Sequence, residues 1–189
     1  MSTIIAVQKN EQIAIAWDSQ HNIGPNLVVN RIGMPKVTRL GQSWVGTTGF
    51  SVYANLLAHY MRKVKADDVS LHDESAIFEF LITFWKSIQE DYHMVNNSWD
   101  EGDPSPFADL GAEFLVVNRQ GIFSAKEILS VNKFERFCVI GSGSPHAEGA
   151  AEALYDSTES ATAIAERCVN IAKTFDGQTG GEVHVAEVE

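Results

Sequence analysis

Cysteine is nearly absent from this chain, basic residues are in deficit and no long apolar run occurs, and each shortage removes a class of function. The two cysteines, Cys138 and Cys168, are too few and too far apart for a disulfide framework or a zinc knuckle. Both sit among apolar neighbours, Phe137 and Val139 for the first and Val169 for the second, which predicts buried, reduced thiols. Lys and Arg number 14 against 25 Asp and Glu, a formal net charge of −11. Such a chain repels phosphate backbones and anionic headgroups, so neither nucleic acid nor a membrane surface is an expected partner. No stretch approaches the roughly 20 apolar residues of a membrane-spanning helix. The first residues lack the basic and apolar regions of a secretory signal, so a cytoplasmic protein is expected. No Pro/Ser-rich linker or low-complexity run interrupts the chain, and 44% of its residues are hydrophobic. Residues 1–189 are therefore predicted to form one domain.

What is present follows a clear order. Thr3 to Lys9 alternates as a β-strand, Asn10-Glu11 reads as a turn, and Gln12 to Trp17 as the returning strand. The chain thus begins inside a strand with almost no leader. Weaker strand signals cover Asn26 to Val29, Lys36 to Leu40 and Ser43 to Thr48. Val52, Leu56, Leu57, Tyr60, Met61 and Val64 then recur at helical spacing, predicting an amphipathic helix from Phe50 to Lys65. Ser70 and Asp73 are start signals for a second helix, whose stripe is Ile77, Leu81, Phe84, Trp85 and Ile88. Asn96 to Asp109, with Gly102, Pro104 and Pro106, is predicted as a surface loop. Strands return at Ala112 to Asn118, Gly121 to Ala125 and Arg136 to Ile140. Of two further helices, one is capped by Ser144 with Pro145 at its opening position. The other is capped by Thr158 or Ser160 and carries the stripe Ile164, Cys168, Ile171 and Phe175. Glu182 to Val188 closes as a strand. Because helices arrive in pairs rather than one per strand, a doubly wound parallel sheet is disfavoured. The pattern predicts a layered α+β protein with antiparallel sheets and helix pairs on the outer faces.

Four groups of residues could carry chemistry. Ser2 follows Met1, and methionine is usually removed before a small residue. The exposed Ser2 would then hold a hydroxyl nucleophile and, in its own α-amine, a base. An α-amine of pKa about 7.7–8.0 keeps a useful neutral fraction near neutrality. Met-Ser is also an ordinary way for a chain to start. Asp18 ends the second strand and Lys36 begins another; alone they read as a surface ion pair worth about 0–1 kcal/mol. Buried together beside Ser2, they would instead hold positive charge next to its hydroxyl, with Asp18 fixing the ammonium. Gly141-Ser142-Gly143-Ser144-Pro145-His146-Ala147 matches the spacing of a dinucleotide-binding loop. Only 48 residues follow Gly141, and they read as a helix pair rather than a second parallel strand. A tight turn placing Ser142 near a neighbouring strand end is the alternative.

These pieces, taken together and in order, resemble the mature start and active-site segments of HslV and bacterial proteasome β-subunits. Ser2-Thr3-Ile4-Ile5-Ala6-Val7 is similar to the family's N-terminus, with Ser2 at the place of its usual threonine nucleophile. Asp18-x-Gln20 followed by Gly24 resembles the HslV pattern, and Lys36-Val37-x-Arg39-Leu40 the segment of the catalytic lysine. Gly46-Thr47-Thr48-Gly49 looks like the cleft-lining turn that donates an oxyanion N–H. Ile140-Gly141-Ser142-Gly143-Ser144-Pro145 resembles the glycine-serine loop that supports the nucleophile. Asp176-x-x-Thr179-Gly180-Gly181 is similar to a late element of proteasome β-subunits, with Thr in place of Ser.

The resemblance implies an αββα sandwich, the four-layer N-terminal-nucleophile hydrolase fold of two antiparallel sheets flanked by helix pairs. It implies a threonine-type endopeptidase acting on unfolded proteins or peptides by acyl transfer, with no metal or organic cofactor. Ser2 would be the nucleophile, Lys36 the nearby charge, Asp18 its anchor and Gly49 the oxyanion donor, with Gly46 as the other candidate. Ser142, Asp176 and Thr179 would hydrogen-bond around the amine. The partners it implies are other copies of the chain, in hexameric or heptameric rings stacked as two, and an ATP-driven unfoldase. His21, Thr47 and Phe50 are the expected cleft-lining residues. Several features depart from the pattern: Ser2 lacks the methyl that stiffens a threonine rotamer, and two extra residues separate Asp18 from Lys36. Phe50 stands where small residues are usual, and the late element is unlike typical HslV, pointing to a smaller bacterial proteasome homologue. Two other functions fit such a chain, a catalytically silent ring scaffold and an amidase for small molecules.

Overall fold

The first hairpin shows how the chain builds its centre. Strand β1 (Ile4–Lys9) returns as β2 (Gln12–Asp18) with Ile4 opposite Trp17 and Lys9 opposite Gln12. Asn10 and Glu11 both take positive φ, 50° and 64°, as a two-residue hairpin turn matching the strand twist requires. Side chains alternate across a strand, so β1 is apolar on both sides: Ile4 and Ala6 pack in one buried cluster, Ile5 and Val7 in another. A strand buried on both faces belongs between two layers, and the fold is organised around it. This computed structural model describes residues 2–23, 27–29, 35–64, 69–92, 111–126 and 129–189.

Short strands β3 (His21–Ile23) and β4 (Leu27–Val29) form an antiparallel ribbon. Strands β5 (Val37–Leu40) and β6 (Ser43–Gly49) lead to helices α1 (Ser51–Lys63) and α2 (Glu74–Tyr92). Next come β7 (Ala112–Asn118), β8 (Gly121–Ala125), β9 (Val131–Phe134) and β10 (Phe137–Ile140). Helices α3 (Ser144–Tyr155) and α4 (Ala161–Phe175) precede the last strand, β11 (Val183–Glu187). One sheet has the order β10-β1-β2-β11 and the other β5-β6-β7-β8-β9, with antiparallel pairing throughout.

Three apolar clusters separate four layers. Leu56, Leu57, Ile77, Leu81, Phe84 and Ile88 of α1 and α2 pack on Val45, Phe114, Val116 and Phe123 of the five-stranded sheet. Ile4, Ala6, Ile15, Leu115, Val117, Ile122 and Ile140 fill the space between the sheets. Ile164, Ala165, Cys168, Val169 and Ala172 of α4, with Ala147 and Ala151 of α3, close over Ile5, Val7, Ala14 and Ala16. The expected αββα sandwich of α+β class is therefore the observed one, and the small residues of α3 and α4 let that layer approach closely.

Local readings need some correction. The residue before α3 is Gly143, not Ser144; the Ser144 hydroxyl donates to the Gly141 carbonyl at 2.6 Å and holds the turn instead of capping the helix. Ser160, rather than Thr158, caps α4, accepting from the Ala163 N–H at 3.2 Å. Phe175 is 67% exposed, so the buried stripe of α4 runs through Val169 and Ala172 instead of Ile171 and Phe175. Strands β3 and β9 were not foreseen: the first has three residues and the second is a mostly exposed edge. Met1, Gly24, Asn26, Lys65 and the loop expected from Asn96 to Asp109 lie outside the described residues.

Candidate active site

At the C-terminal end of β2, the alternation that buries Ala14 and Ala16 also buries Asp18, which is 0% exposed. A carboxylate without water needs donors, and this one has four. Its Oδ1 accepts from the Thr3 N–H and from Lys36 Nζ, each at 2.9 Å. Its Oδ2 accepts from the Gln20 N–H at 3.2 Å and the Gly180 N–H at 3.0 Å. Two acceptor sites on each oxygen are thereby filled. Lys36, at the start of β5, is 7% exposed. Burial draws its pKa below the ordinary lysine value, while Asp18 pulls the other way. The pair seen in the sequence is thus internal and joins the two sheets.

Ser2 immediately precedes Thr3, whose N–H Asp18 holds, and it is 5% exposed. Its carbonyl lies over the loop after β10. A side chain at Gly141 would put Cβ 2.1 Å from the Ser2 oxygen. That contact and a φ of +97° admit only glycine there. The Gly143 N–H and the Ser142 hydroxyl each approach the same carbonyl at 3.5 Å.

A chain of hydroxyls runs behind this loop. Asp176 Oδ2 accepts from Ser142 Oγ and from Thr179 Oγ1, both at 2.7 Å, and Oδ1 from the Gln178 N–H at 3.0 Å. Thr179 Oγ1 also lies 2.7 Å from Thr3 Oγ1. Since Thr179 gives its one proton to Asp176, Thr3 is the donor to Thr179. Burial pushes the Asp176 carboxyl up, but the hydrogen bonds from Thr179, Ser142 and the Gln178 N–H outweigh it and hold it below the ordinary aspartate value. Ser142, Asp176 and Thr179 are therefore one network, and it reaches the residue after Ser2.

The turn after β6 is placed by backbone parity. Thr47 donates its N–H to the Lys36 carbonyl at 2.9 Å, so odd-numbered residues of β6 direct their backbone groups at β5 and even ones at β7. Gly46 accordingly faces Leu115 of β7. Continuing that alternation from Thr47 to Gly49 assigns the Gly49 N–H to the β5 side. Gly49 has φ +104°, and a Cβ there would lie 2.3 Å from the Gly111 carbonyl oxygen. Phe50 follows it at 73% exposure.

Sequence reasoning overlooked Glu113, while Gln20 and His21 were named from it. The Glu113 side chain, on β7, accepts from Thr48 Oγ1 at 3.1 Å and the Gly141 N–H at 2.9 Å. Its signal was present, as the one charged residue of β7. Gln20 Nε2 bonds the Gly177 carbonyl at 3.1 Å, tying β3 to the Asp176 turn. Burial and then Lys36 pull His21 below its ordinary pKa, against Asp18.

A four-layer αββα sandwich, with a buried Lys–Asp pair beside the start of its first strand, is the architecture of the N-terminal-nucleophile hydrolase fold. No protein-family model matches the chain. It is 26% identical over 194 aligned positions to the ATP-dependent protease subunit HslV of Caldicellulosiruptor saccharolyticus, covering 99% of this chain and 98% of that one. The structure of BPH from Thiobacillus denitrificans, solved alone and in complex with epoxomicin, superposes with a TM-score of 0.88 at 27% identity and 99% coverage of this chain. That match covers 98% of the complexed BPH chain and 97% of the other. HslV from Trypanosoma brucei shares the fold, with a TM-score of 0.73, 21% identity and 99% of both chains covered. In sequence and in fold the chain is thus similar to HslV and to proteasome-like proteins of this type.

Proposed function

We propose that the chain is a self-compartmentalising endopeptidase with an N-terminal serine nucleophile, degrading unfolded proteins or peptides by acyl transfer. The observation that carries this is the Asp18 carboxylate, which holds Lys36 Nζ and the Thr3 N–H on one oxygen, each at 2.9 Å. A cation is thereby anchored beside the residue next to Ser2, and a fully buried pair is a costly arrangement for a merely structural contact.

Removal of Met1 frees the Ser2 α-amine. The Ser2 hydroxyl attacks the peptide carbonyl and its proton passes to that amine, directly or through water. Lys36 favours the deprotonated hydroxyl electrostatically. The Gly49 N–H stabilises the oxyanion, a contribution of about 3–4 kcal/mol in other hydrolases; its direction off the β5 side supports it over Gly46. The amine returns the proton to the leaving nitrogen, and water then hydrolyses the Ser2 ester. Ser142, Asp176 and Thr179 orient the amine. Copies of this single-domain, cytoplasmic chain assemble as six- or seven-fold rings stacked as two, enclosing the sites. An ATP-driven unfoldase partner is supported by the name of the HslV relative.

Intact mass before and after a peptide epoxyketone tests this, the BPH relative having been solved with epoxomicin. The expected result is loss of Met1 and one adduct per chain, absent in Ser2→Ala. Retained Met1 with no adduct in natively expressed protein refutes it and favours a silent ring.

A further inference from the structure

Strand β7 is buried along its length except at Glu113, which is half-buried. Glu113 stands directly opposite Thr48 in the β6–β7 ladder. A single oxygen, Oε2, accepts both the Thr48 hydroxyl at 3.1 Å and the Gly141 N–H at 2.9 Å. Thr48 precedes Gly49, and Gly141 precedes Ser142. The first pair ends a strand of the five-stranded sheet, while the second follows β10 of the other sheet. Glu113 therefore bridges the two sheets at the place where the Gly141 turn lies against both Ser2 and Thr48. A side chain on Gly141 would touch Thr48 Cγ2 at 3.2 Å as well as the Ser2 carbonyl.

We propose that Glu113 is a positioning residue that sets the distance between the Thr48–Gly49 turn and the Gly141–Ser142 turn, and with it the distance from oxyanion donor to nucleophile. This rests on the function proposed above. The apolar contacts between the sheets, in the cluster that holds Ile4 and Ile140 of one with Leu115 and Val117 of the other, are non-directional and fix a separation without an orientation. Two hydrogen bonds to one carboxylate oxygen add the direction. Glu113 transfers no proton and touches no substrate. Its effect falls on contacts made only in the transition state, which lower kcat when lost and leave KM in place.

Three variants separate positioning from bulk stability. Gln can put its amide oxygen where Oε2 is and accept both bonds; Asp is one methylene short, and Ala removes the acceptor. With a fluorogenic peptide, Glu113→Ala and Glu113→Asp are expected to lower kcat by about 10–100-fold at near-constant KM, and Glu113→Gln to restore most of it. Amide exchange read at Gly141 against Val139 in the adjoining strand gives a second measurement that needs no activity. Gly141 is expected to exchange faster in Glu113→Ala and at the wild-type rate in Glu113→Gln. Wild-type kcat in Glu113→Ala, a loss confined to KM, or unchanged Gly141 exchange overturns the proposal. Wild-type protein that neither turns over nor labels with the epoxyketone refutes the function itself; the exchange measurement then still decides whether Glu113 couples the turns.

Discussion

Replacing Asp18 by Asn tests the centre of the site most directly. The two carboxylate oxygens accept two hydrogen bonds each. Either orientation of an Asn amide therefore puts an NH2 group against two donors: Thr3 N–H and Lys36 at one position, Gln20 and Gly180 N–H at the other. Buried groups left unsatisfied cost about 1–3 kcal/mol each. Breaking a buried ion pair on one side costs about 3–5 kcal/mol, because the other charge is stranded. These penalties overlap, so a loss of about 4 kcal/mol is expected for Asp18→Asn. Lys36→Met leaves the carboxylate its three backbone donors and should cost less, about 2 kcal/mol. The double variant should cost less than the two together. Urea unfolding at fixed protein concentration measures all three, and in thermal unfolding the Asp18→Asn loss corresponds to a fall of about 10 °C in Tm. Lys36 adds a pH signature. Its folded pKa lies below the unfolded one, so between that lowered value and about 10.4 the unfolded state binds more protons and stability rises with pH. Lys36→Met should remove that rise. An Asp18→Asn variant within about 1 kcal/mol of the wild type, or one less damaged than Lys36→Met, would refute the reasoning.

The Asp176 carboxyl, held low by its hydrogen-bond donors, stabilises the fold above the ordinary aspartate pKa of about 3.9 and loses that contribution as pH falls through its own lower value. Thr179→Val removes one donor and should raise the Asp176 pKa in a carboxyl NMR titration; an unmoved titration would deny the network. Burial pushes the thiols up, Cys138 to about 11 and Cys168 to about 12. Neither should react with a thiol reagent at pH 8 in the native protein, and both should react after denaturation. Rapid native labelling would contradict their burial.

The element order was legible because its signals are local. The alternation of β1 and β2, the helical spacing from Val52 onward and from Ile77 to Ile88, and the matched run of β7 and β8 are properties of neighbouring residues, and the structure keeps them within a residue or two. Strand β9 was not legible because V-N-K-F lies on an exposed edge, where no core imposes alternation. Phe175 was misplaced for a related reason: helical spacing predicts a face but does not say where the facing layer ends, and Phe175, the last residue of α4, is exposed.

The candidate site divides along the same line. Ser2, Asp18, Lys36, Gly49, Ser142, Asp176 and Thr179 could be named from motifs in order, but each had an ordinary alternative as long as it stood alone. Whether Asp18 and Lys36 formed a weak surface pair or a buried one depended on two positions 18 apart in the chain returning to the same point, which no local pattern encodes. Glu113 was visible as the one charged residue of its strand, yet its partners Thr48 and Gly141 come from different sheets. Local pattern assigned most segments to strands and helices, β3 and β9 excepted, and supplied the residue types available for chemistry. Which of those residues lose water together was settled by the fold, because burial and hydrogen-bond geometry are set by the closing of the two sheets on each other.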